Sequence, residues 1–240
     1  MAAAYRKGNM RLVRRALLVI GPLILLSGIS AAAPLCGPDL PGRGKWYMGF
    51  ETNIVFDRDM KKGLGEAESN QYFYNISYGI YDWFSFDGKL GMGDTEFDTI
   101  EAGRMDLDLG FAGAYGARFK VYDNREKRLR GVLGFQHISV HPSKEETAGV
   151  KYSSIWDEWQ ISLLLSKEFG KIEPYVGVKA SQLYIIRKDN LQDDWSWNGS
   201  GDHLGIILGS KAELPGNWYL VLEGRFVDET AFSTVVSHKL

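Results

Sequence analysis

The chain has 240 residues, with 28 Lys and Arg against 30 Asp and Glu, so its formal net charge is only -2. This balance gives no electrostatic reason to expect a nucleic-acid partner. The single Cys cannot form an internal disulfide. No stretch after Leu26 is apolar over the roughly 18 residues that a membrane-spanning helix needs. Gly (28 residues) and aromatic residues (13%) are abundant, which is typical of the strands of membrane β-barrels.

The N-terminal residues have the pattern of a secretory signal peptide. Basic residues precede an apolar run over Ala16–Leu26, which is too short to span a membrane, and a run of small residues then fits cleavage after Ala33. We therefore predict a signal peptide at residues 1–33. The Pro- and Gly-rich residues 34–44 are predicted to form a short periplasmic lead-in.

From Lys45 to Leu240, apolar side chains occupy every second position over successive segments. Such alternation is typical of β-strands, and after an export signal it favours a membrane barrel. We predict an all-β fold, a single antiparallel up-and-down transmembrane β-barrel over residues 45–240, with about ten strands and eight as the alternative. The ten segments lie near residues 46–57, 71–80, 84–92, 106–120, 131–140, 158–166, 172–187, 203–214, 218–226 and 232–240.

The connections between these segments predict how the barrel is oriented. If the N-terminus is periplasmic, the predicted outer connections are mostly long and the periplasmic ones mostly short, as in bacterial outer-membrane barrels. Two connections deviate, because Tyr122–Arg130 is long for a turn and Val227–Thr230 is short for a loop. A soluble β-sandwich or lipocalin-like barrel would also alternate. The aromatic residues at the strand ends, where membrane interfaces would lie, favour the membrane barrel.

Charges of both signs are predicted to face the interior of the barrel, which suits either a hydrophilic pore or an interior filled by ion pairs. Ten strands are close to the size at which side chains fill a barrel, and buried mixed charge is tolerated only when it is paired. We therefore favour a plugged lumen. The predicted lumen charges are Glu51, Asp87, Lys89, Asp108, Arg118, Lys120, Lys179, Lys211, Glu223 and Arg225.

Two segments resemble small outer-membrane β-barrel proteins. Asn75–Phe86 (NISYGIYDWFSF) looks like their strand–turn–strand unit, and Phe232–Leu240 (FSTVVSHKL) is similar to the closing strand that the barrel-assembly machinery recognises. The latter departs from that pattern at His238 and in ending with Leu240. The resemblance implies insertion into a Gram-negative-type outer membrane by that machinery, with membrane lipids and lipopolysaccharide as surroundings. It implies no particular ligand, and it leaves the oligomeric state open.

The sequence His137-Ile138-Ser139 is the most specific chemical motif. Residues two apart on a strand point to the same face, so the imidazole and the hydroxyl can meet. The motif resembles the His-x-Ser arrangement of outer-membrane phospholipase A and of the lipid A deacylase, in which both residues face lipid near the outer rim. That resemblance implies Ser139 as nucleophile, His137 as base and Asp157 as the residue that orients the base. The Asn-Gly that follows the phospholipase motif is absent, and the alternation in this strand leaves its facing ambiguous.

Three functions follow as expectations. The favoured one is a structural, adhesive or interaction barrel without enzymatic activity, and the alternatives are a lipid-directed hydrolase at His137, Ser139 and Asp157, and a narrow passive pore. No cofactor and no metal is predicted, since the ligand spacing of His137, His141, Glu145 and Glu146 is loose. Acidic and aromatic residues in the loop before the eighth strand are interpreted as a solvated outer loop, namely Asp189, Asp193, Asp194, Trp195 and Trp197.

Overall fold

A computed structural model describes residues 31–32, 35–61, 64–99, 103–147, 150–189 and 195–240. Nearly all of the predicted signal peptide lies outside these residues and stays a prediction. No helix long and apolar enough to cross a membrane occurs in the described ranges. The ten long strands are β1 (Trp46–Asp57), β2 (Leu64–Tyr81), β3 (Phe84–Thr99), β4 (Gly103–Asn124), β5 (Leu129–His141), β6 (Val150–Lys167), β7 (Ile172–Asp189), β8 (Leu204–Glu213), β9 (Trp218–Phe226) and β10 (Thr230–Lys239). Short strands lie at Ala31–Ala32, Leu35–Pro38, Glu145–Thr147 and Ser196–Gly199.

The long strands form a closed antiparallel barrel. Each strand pairs with the next along the chain. β10 pairs with β1 from Thr230↔Asp57 to Lys239↔Tyr47, which closes the sheet. Closure satisfies the backbone N–H and C=O groups that an open sheet edge would leave unpaired in lipid. The predicted ten-stranded barrel is confirmed, and the alternative of eight strands is wrong.

The outer face of the barrel is apolar. Phe50 is 68% exposed and Leu204 is 70% exposed, and their neighbours on the outer face are also mainly large and apolar. The inner face buries polar side chains such as Gln71, Ser85 and Arg118. A soluble barrel would bury the apolar face and expose the polar one. The observed distribution is the one that a lipid environment requires, so the chain is a transmembrane β-barrel of the outer-membrane type.

The two ends of the barrel differ. At the end that carries the C-terminus, four short turns join the strands, at Asp82–Trp83, Arg125–Arg128, Glu168–Lys171 and Leu214–Asn217. Leu240 lies at this end, where its N–H donates to the carbonyl of Trp46 at 2.9 Å. Short turns mark the periplasmic end of such barrels. The connection predicted as long, Tyr122–Arg130, is a turn of only four residues, because β4 continues to Asn124 and β5 begins at Leu129.

At the outer end, much of what the sequence predicts as loop is strand. β2 begins at Leu64, and β3 and β4 extend to Thr99 and from Gly103. The sheet therefore continues beyond the apolar band. The inner side of this extension is lined by a buried apolar cluster that includes Phe97, Leu107, Val140, Trp156 and Ile185.

A bulge between β3 and β4 overturns part of the predicted facing. The pairing passes from Gly93↔Gly110 to Thr95↔Leu107, so two residues of β4 oppose one residue of β3. An inserted residue reverses which side chains face the interior. Leu107, predicted to face outward, is therefore buried, while Asp108 is exposed and is not a lumen charge.

Candidate functional site

The periplasmic mouth of the barrel is filled by the chain that precedes β1. Residues 37–41 are buried there, and Arg118 donates to the carbonyl of Gly37 at 3.3 Å. The carboxylate of Asp39 pairs with Lys211 at 2.8 Å and with Arg130 and Lys239 at 3.1 Å each. The segment predicted as a lead-in thus closes this end of the lumen.

The pKa of Asp39 reflects these contacts. Burial alone would raise the pKa, but Lys211, Lys239 and Arg130 hold it well below its usual range. A carboxyl with a lowered pKa in the folded state stabilises the fold above its unfolded pKa of about 4, and this stabilisation is lost as the pH falls through the folded pKa.

We therefore expect Asp39→Asn to lower the free energy of unfolding by about 2 kcal/mol at pH 7. The difference from wild type should persist down to about pH 5 and shrink below about pH 4, where the Asp39 carboxyl of the unfolded wild-type chain becomes protonated while that of the folded chain stays ionised. Urea unfolding of both proteins in detergent at several pH values measures it. A difference that grows on acidification would contradict this assignment.

The outer half of the lumen is filled by a second ion cluster, centred on Arg58. Its guanidinium contacts Glu229 at 2.9 Å, Glu158 at 3.0 Å and Asp228 at 3.3 Å. Lys179 and Arg225 complete the cluster through Asp228 and Glu229. Asp228 and Glu229 come from the connection between β9 and β10, which folds inward, so the cluster balances three cations with three carboxylates. Sequence reasoning missed Arg58, Asp228 and Glu229 because they lie in connections rather than strands.

Most of the predicted lumen charges are buried inside the barrel. Lys89 pairs with Glu51 at 2.6 Å and Arg118 with Asp87 at 2.7 Å. Lys120 differs, because it lies beside a bulge near the end of β4, where it is half-buried and pairs with Asp123 at 2.9 Å. The buried members of the predicted set are Glu51, Asp87, Lys89, Arg118, Lys179, Lys211, Glu223 and Arg225.

Little open space remains between these groups. A lumen cavity lined by Glu51, Lys89 and Arg225, among others, has a volume of about 20 Å³, which is the space of about one water molecule. Beyond the ion cluster, the apolar side chains of the outer extension pack against one another. Among the described residues, the interior is polar through its inner part and apolar near its outer end.

The facing of β5, which the sequence leaves ambiguous, is settled by the structure. Val132, Ile138 and Val140 are buried in the lumen. The alternate residues, among them His137 and Ser139, are therefore on the outer wall. This is the facing that the His-x-Ser resemblance requires.

Two groups of polar side chains lie next to each other on this wall, one formed by His137, Asp157 and Trp159 and the other by Ser139 and His141. His137 Nε2 lies 3.0 Å from Asp157 Oδ2, and Trp159 Nε1 donates to the other oxygen of Asp157 at 2.9 Å. The ring of Trp159 packs on His137 with 4.1 Å between centroids. Ser139 Oγ lies 3.0 Å from His141 Nε2. The structure therefore brings His137 and Asp157 together as predicted, but the imidazole in contact with Ser139 is that of His141.

From the sequence, His141 is assigned no catalytic role, although the spacing of His141 from Ser139 indicates that the two side chains share a strand face. His137, Ser139 and His141 are two residues apart in turn, so one strand face carries all three. His141 was considered only as a metal ligand, together with Glu145 and Glu146. The side chain of Glu145 lies outside the described residues, and Glu146 pairs instead with Lys151 at 3.5 Å.

The cluster lies on the outer half of the β5–β6 wall, with the exposed apolar side chain of Phe111 on β4 opposite His141. In the β5–β6 register, Ser139 is opposite Asp157 and His137 opposite Trp159, while the next outward-facing pair towards the periplasm is Phe135 and Ile161. On β4, Tyr115 packs beside His137. The hydroxyl of Ser139 is thus placed on a wall that also carries exposed apolar side chains.

In the loop before β8, Asp193, Asp194 and the side chain of Asp189 lie outside the described residues. Within the described ranges, one group of carboxylates, Asp57, Asp59 and Glu66, has ligand atoms within 4.8 Å of one another. Two of the three side chains are exposed, as solvated acidic groups commonly are.

No protein-family model matches the chain, and no curated protein matches it. Solved structures with a similar fold include the transport unit of the autotransporter AIDA-I from Escherichia coli, with 11% identity over 80% of this chain and 89% of that one, at a TM-score of 0.42. The translocator domain of the autotransporter NalP from Neisseria meningitidis has 11% identity over 84% and 89%, at 0.46. An outer membrane channel from Pseudomonas putida F1 has 8% identity over 87% and 100%, at 0.45.

Proposed function

We propose that this chain is an outer-membrane hydrolase that cleaves acyl esters of membrane lipids on the outer wall of a non-conducting barrel. The observation that carries the proposal is the contact of 3.0 Å between Ser139 Oγ and His141 Nε2 on the lipid-facing wall. The pair of His137 and Asp157 beside it supports the same interpretation. Polar side chains that face lipid cost free energy, so their presence on this wall supports a functional role.

The chemistry proposed for the cluster is acyl transfer through a serine ester. The Ser139 hydroxyl donates to His141 Nε2, which takes its proton as Oγ attacks the ester carbonyl carbon. The ester C–O bond then breaks, and the imidazolium returns the proton to the departing alcohol oxygen of the lipid. Water attacks the acyl-serine with His141 again as base, so that a fatty acid leaves and Ser139 regains its proton. The net reaction is lipid ester plus water to lysolipid plus fatty acid.

His137 is assigned a positioning role in this proposal. Its Nε2 is engaged by Asp157, and its ring is packed between Tyr115 and Trp159. It does not contact Ser139, so it cannot take the proton in the observed geometry. Its pair with Asp157 instead links β5 to β6 and so holds the strand that carries Ser139 in place.

The test of the function is fatty acid release by the refolded full-length protein. Mixed micelles of phosphatidylethanolamine and, separately, purified lipopolysaccharide serve as the two substrates. Mass spectrometry would detect the fatty acid and the deacylated lipid. Release from either substrate is expected, and the identity of that substrate distinguishes a phospholipase from a lipopolysaccharide deacylase. Absence of release from both would overturn the proposal.

Two histidine variants test the assignment of the base. His141→Ala should lower the hydrolysis rate by about 10²-fold or more, because the proton acceptor of Ser139 is lost. His137→Ala should lower it by less than about tenfold, since it removes a group that acts through packing. Initial rates of both variants with the better substrate provide the comparison. A larger loss of rate in His137→Ala than in His141→Ala would show that His137 is the base.

A passive pore is opposed by the filled lumen. The periplasmic mouth holds residues 37–41, and the outer half holds the cluster of Arg58. Charges in both regions are arranged in pairs rather than along a continuous aqueous path. These contacts also support a rigid barrel that serves as the scaffold for the site on its outer wall.

A further inference from the structure

Two neighbouring turns at the periplasmic end carry an excess of positive charge. Residues 125–128 (REKR) join β4 to β5, and residues 168–171 (EFGK) join β6 to β7. The N–H of Glu168 donates to the carbonyl of Arg128 at 3.0 Å, which fixes the two turns side by side. The surface they form with the adjoining strand ends is called here the basic rim. Its cations are Lys120, Arg125, Lys127, Arg128, Lys167 and Lys171, and its acids are Asp123, Glu126 and Glu168.

Several cations of the basic rim form no ion pair within the part of the chain that the structure describes. Among the described residues, no ion pair or side-chain hydrogen bond involves the charged groups of Arg125, Lys127, Arg128 or Lys171. By contrast, the buried cations of the lumen are paired with carboxylates. Exposed cations that gather on one face without partners raise the positive potential of that face.

The basic rim adjoins apolar side chains that project outward. Tyr122 is 48% exposed and Phe169 58% exposed, and Val121 and Ile172 lie close to them at the ends of β4 and β7. Lys167 lies over the Phe169 ring at 5.2 Å from its centroid. Aromatic side chains beside cations at a strand end are typical of a membrane interface. The cations are therefore placed at the headgroup level of the periplasmic leaflet.

Arg128 is the last residue of its turn, and its side chain lines a cavity. Its φ is +51°, in the left-handed region where Gly or Asn would be favoured. Asn217, the last residue of the turn Leu214–Asn217, has a similar φ of +62°, so the geometry of the turn accounts for this conformation. The cavity lined by Arg128 has a volume of about 400 Å³, and its other charged lining residues are the cations Lys120, Arg125 and Arg130 and the acids Asp123, Glu168 and Glu173.

We propose that the basic rim binds the headgroup of an anionic phospholipid from the periplasmic leaflet. The phosphodiester lies against Arg125 and Arg128 at the cavity, Lys171 approaches from the neighbouring turn, and the acyl chains lie along Tyr122 and Phe169. Guanidinium groups suit this role, because they can donate two hydrogen bonds to one phosphate. Charge complementarity and the adjoining apolar surface favour a lipid over a soluble phosphate.

Native mass spectrometry of the full-length protein in detergent micelles tests the proposal. Phosphatidylglycerol and phosphatidylcholine with matched acyl chains are added separately, and the fraction of protein with bound lipid is measured. We expect phosphatidylglycerol to bind about tenfold more tightly or better, since each cation near the headgroup contributes separately. Equal binding of the two lipids would overturn the proposal.

A triple variant, Arg125→Gln, Arg128→Gln and Lys171→Gln, should reduce this preference by about tenfold or more. The matched control removes three cations at the opposite end, with Lys61→Gln, Lys144→Gln and Lys151→Gln, and should keep the preference. Heat-modifiable migration in electrophoresis shows that both variants retain the barrel. If the two triple variants lose the preference equally, net charge rather than the rim is responsible, and the proposed site is wrong. Full displacement of the lipid by millimolar inorganic phosphate would likewise show a phosphate site instead of a lipid site.

Discussion

Replacement of Ser139 by Ala should lower the rate of lipid hydrolysis by at least about 10³-fold without unfolding the barrel. The substitution removes the oxygen that forms the ester with the acyl group, so no covalent path remains. The side chain lies on the outer wall, where its hydroxyl contacts His141. The lumen clusters are on the other face of β5, so the stability of the fold should change little.

The matched control for this variant is Ser143→Ala. Ser143 is an exposed serine four positions further along the chain, and its hydroxyl donates to the carbonyl of Leu109 at 2.8 Å rather than to a histidine. Ser143→Ala should keep the wild-type rate. The comparison uses initial rates of fatty acid release at equal amounts of folded protein. A Ser139→Ala protein with the wild-type rate would exclude Ser139 as the nucleophile.

The alternation of apolar residues was sufficient to predict the barrel, because it depends on one physical condition that holds along every strand. Lipid surrounds the barrel, so an outward position tolerates few polar groups. An inward position accepts polar and charged groups, because they pair with one another inside the barrel. Phe50 and Glu51, adjacent on β1, show this directly, one 68% exposed and the other 7% exposed. The sequence shows a period of two because consecutive strand residues alternate between lipid and the lumen.

Where the prediction was wrong, the local geometry departs from a regular strand. The exposure of Asp108 and the burial of Leu107 follow from the bulge opposite Gly93 and Thr95. No residue type in β4 predicts this bulge from the sequence. At β5 the alternation is ambiguous because both faces carry apolar residues. Near its outer end the lumen is apolar, so Ile138 and Val140 face inward against Trp156, and His137 and Ser139 face outward.

The candidate site was predictable in part for a related reason. The spacing of His137 and Ser139 determines that they share a strand face, and this needs no tertiary information. Which imidazole meets Ser139 depends on side-chain torsions, and these depend on neighbours such as Trp159 and Asp157 that belong to another strand. A contact of this kind is determined by packing across the β5–β6 pair, and a single-strand pattern does not encode it.

The second large effect is expected from the ion cluster in the lumen. Arg58→Met should lower the free energy of unfolding by about 3 to 5 kcal/mol. The guanidinium contacts Glu158, Asp228 and Glu229 and also donates to Ser181 Oγ at 2.8 Å. Without it, three buried carboxylates face only Lys179 and Arg225, so that one negative charge stays uncompensated in a medium of low dielectric constant.

Arg104→Met is the matched control, because Arg104 also pairs with two carboxylates but has a side chain that is 55% exposed. Exposed pairs contribute little, so this variant should lose no more than about 1 kcal/mol. Urea unfolding in detergent gives both free energies, and equal losses would contradict the role assigned to burial. Planar bilayer recordings give a second readout, because the wild-type barrel should pass no current above leak. The Arg58→Met barrel should pass no current either, because residues 37–41 still fill the periplasmic mouth.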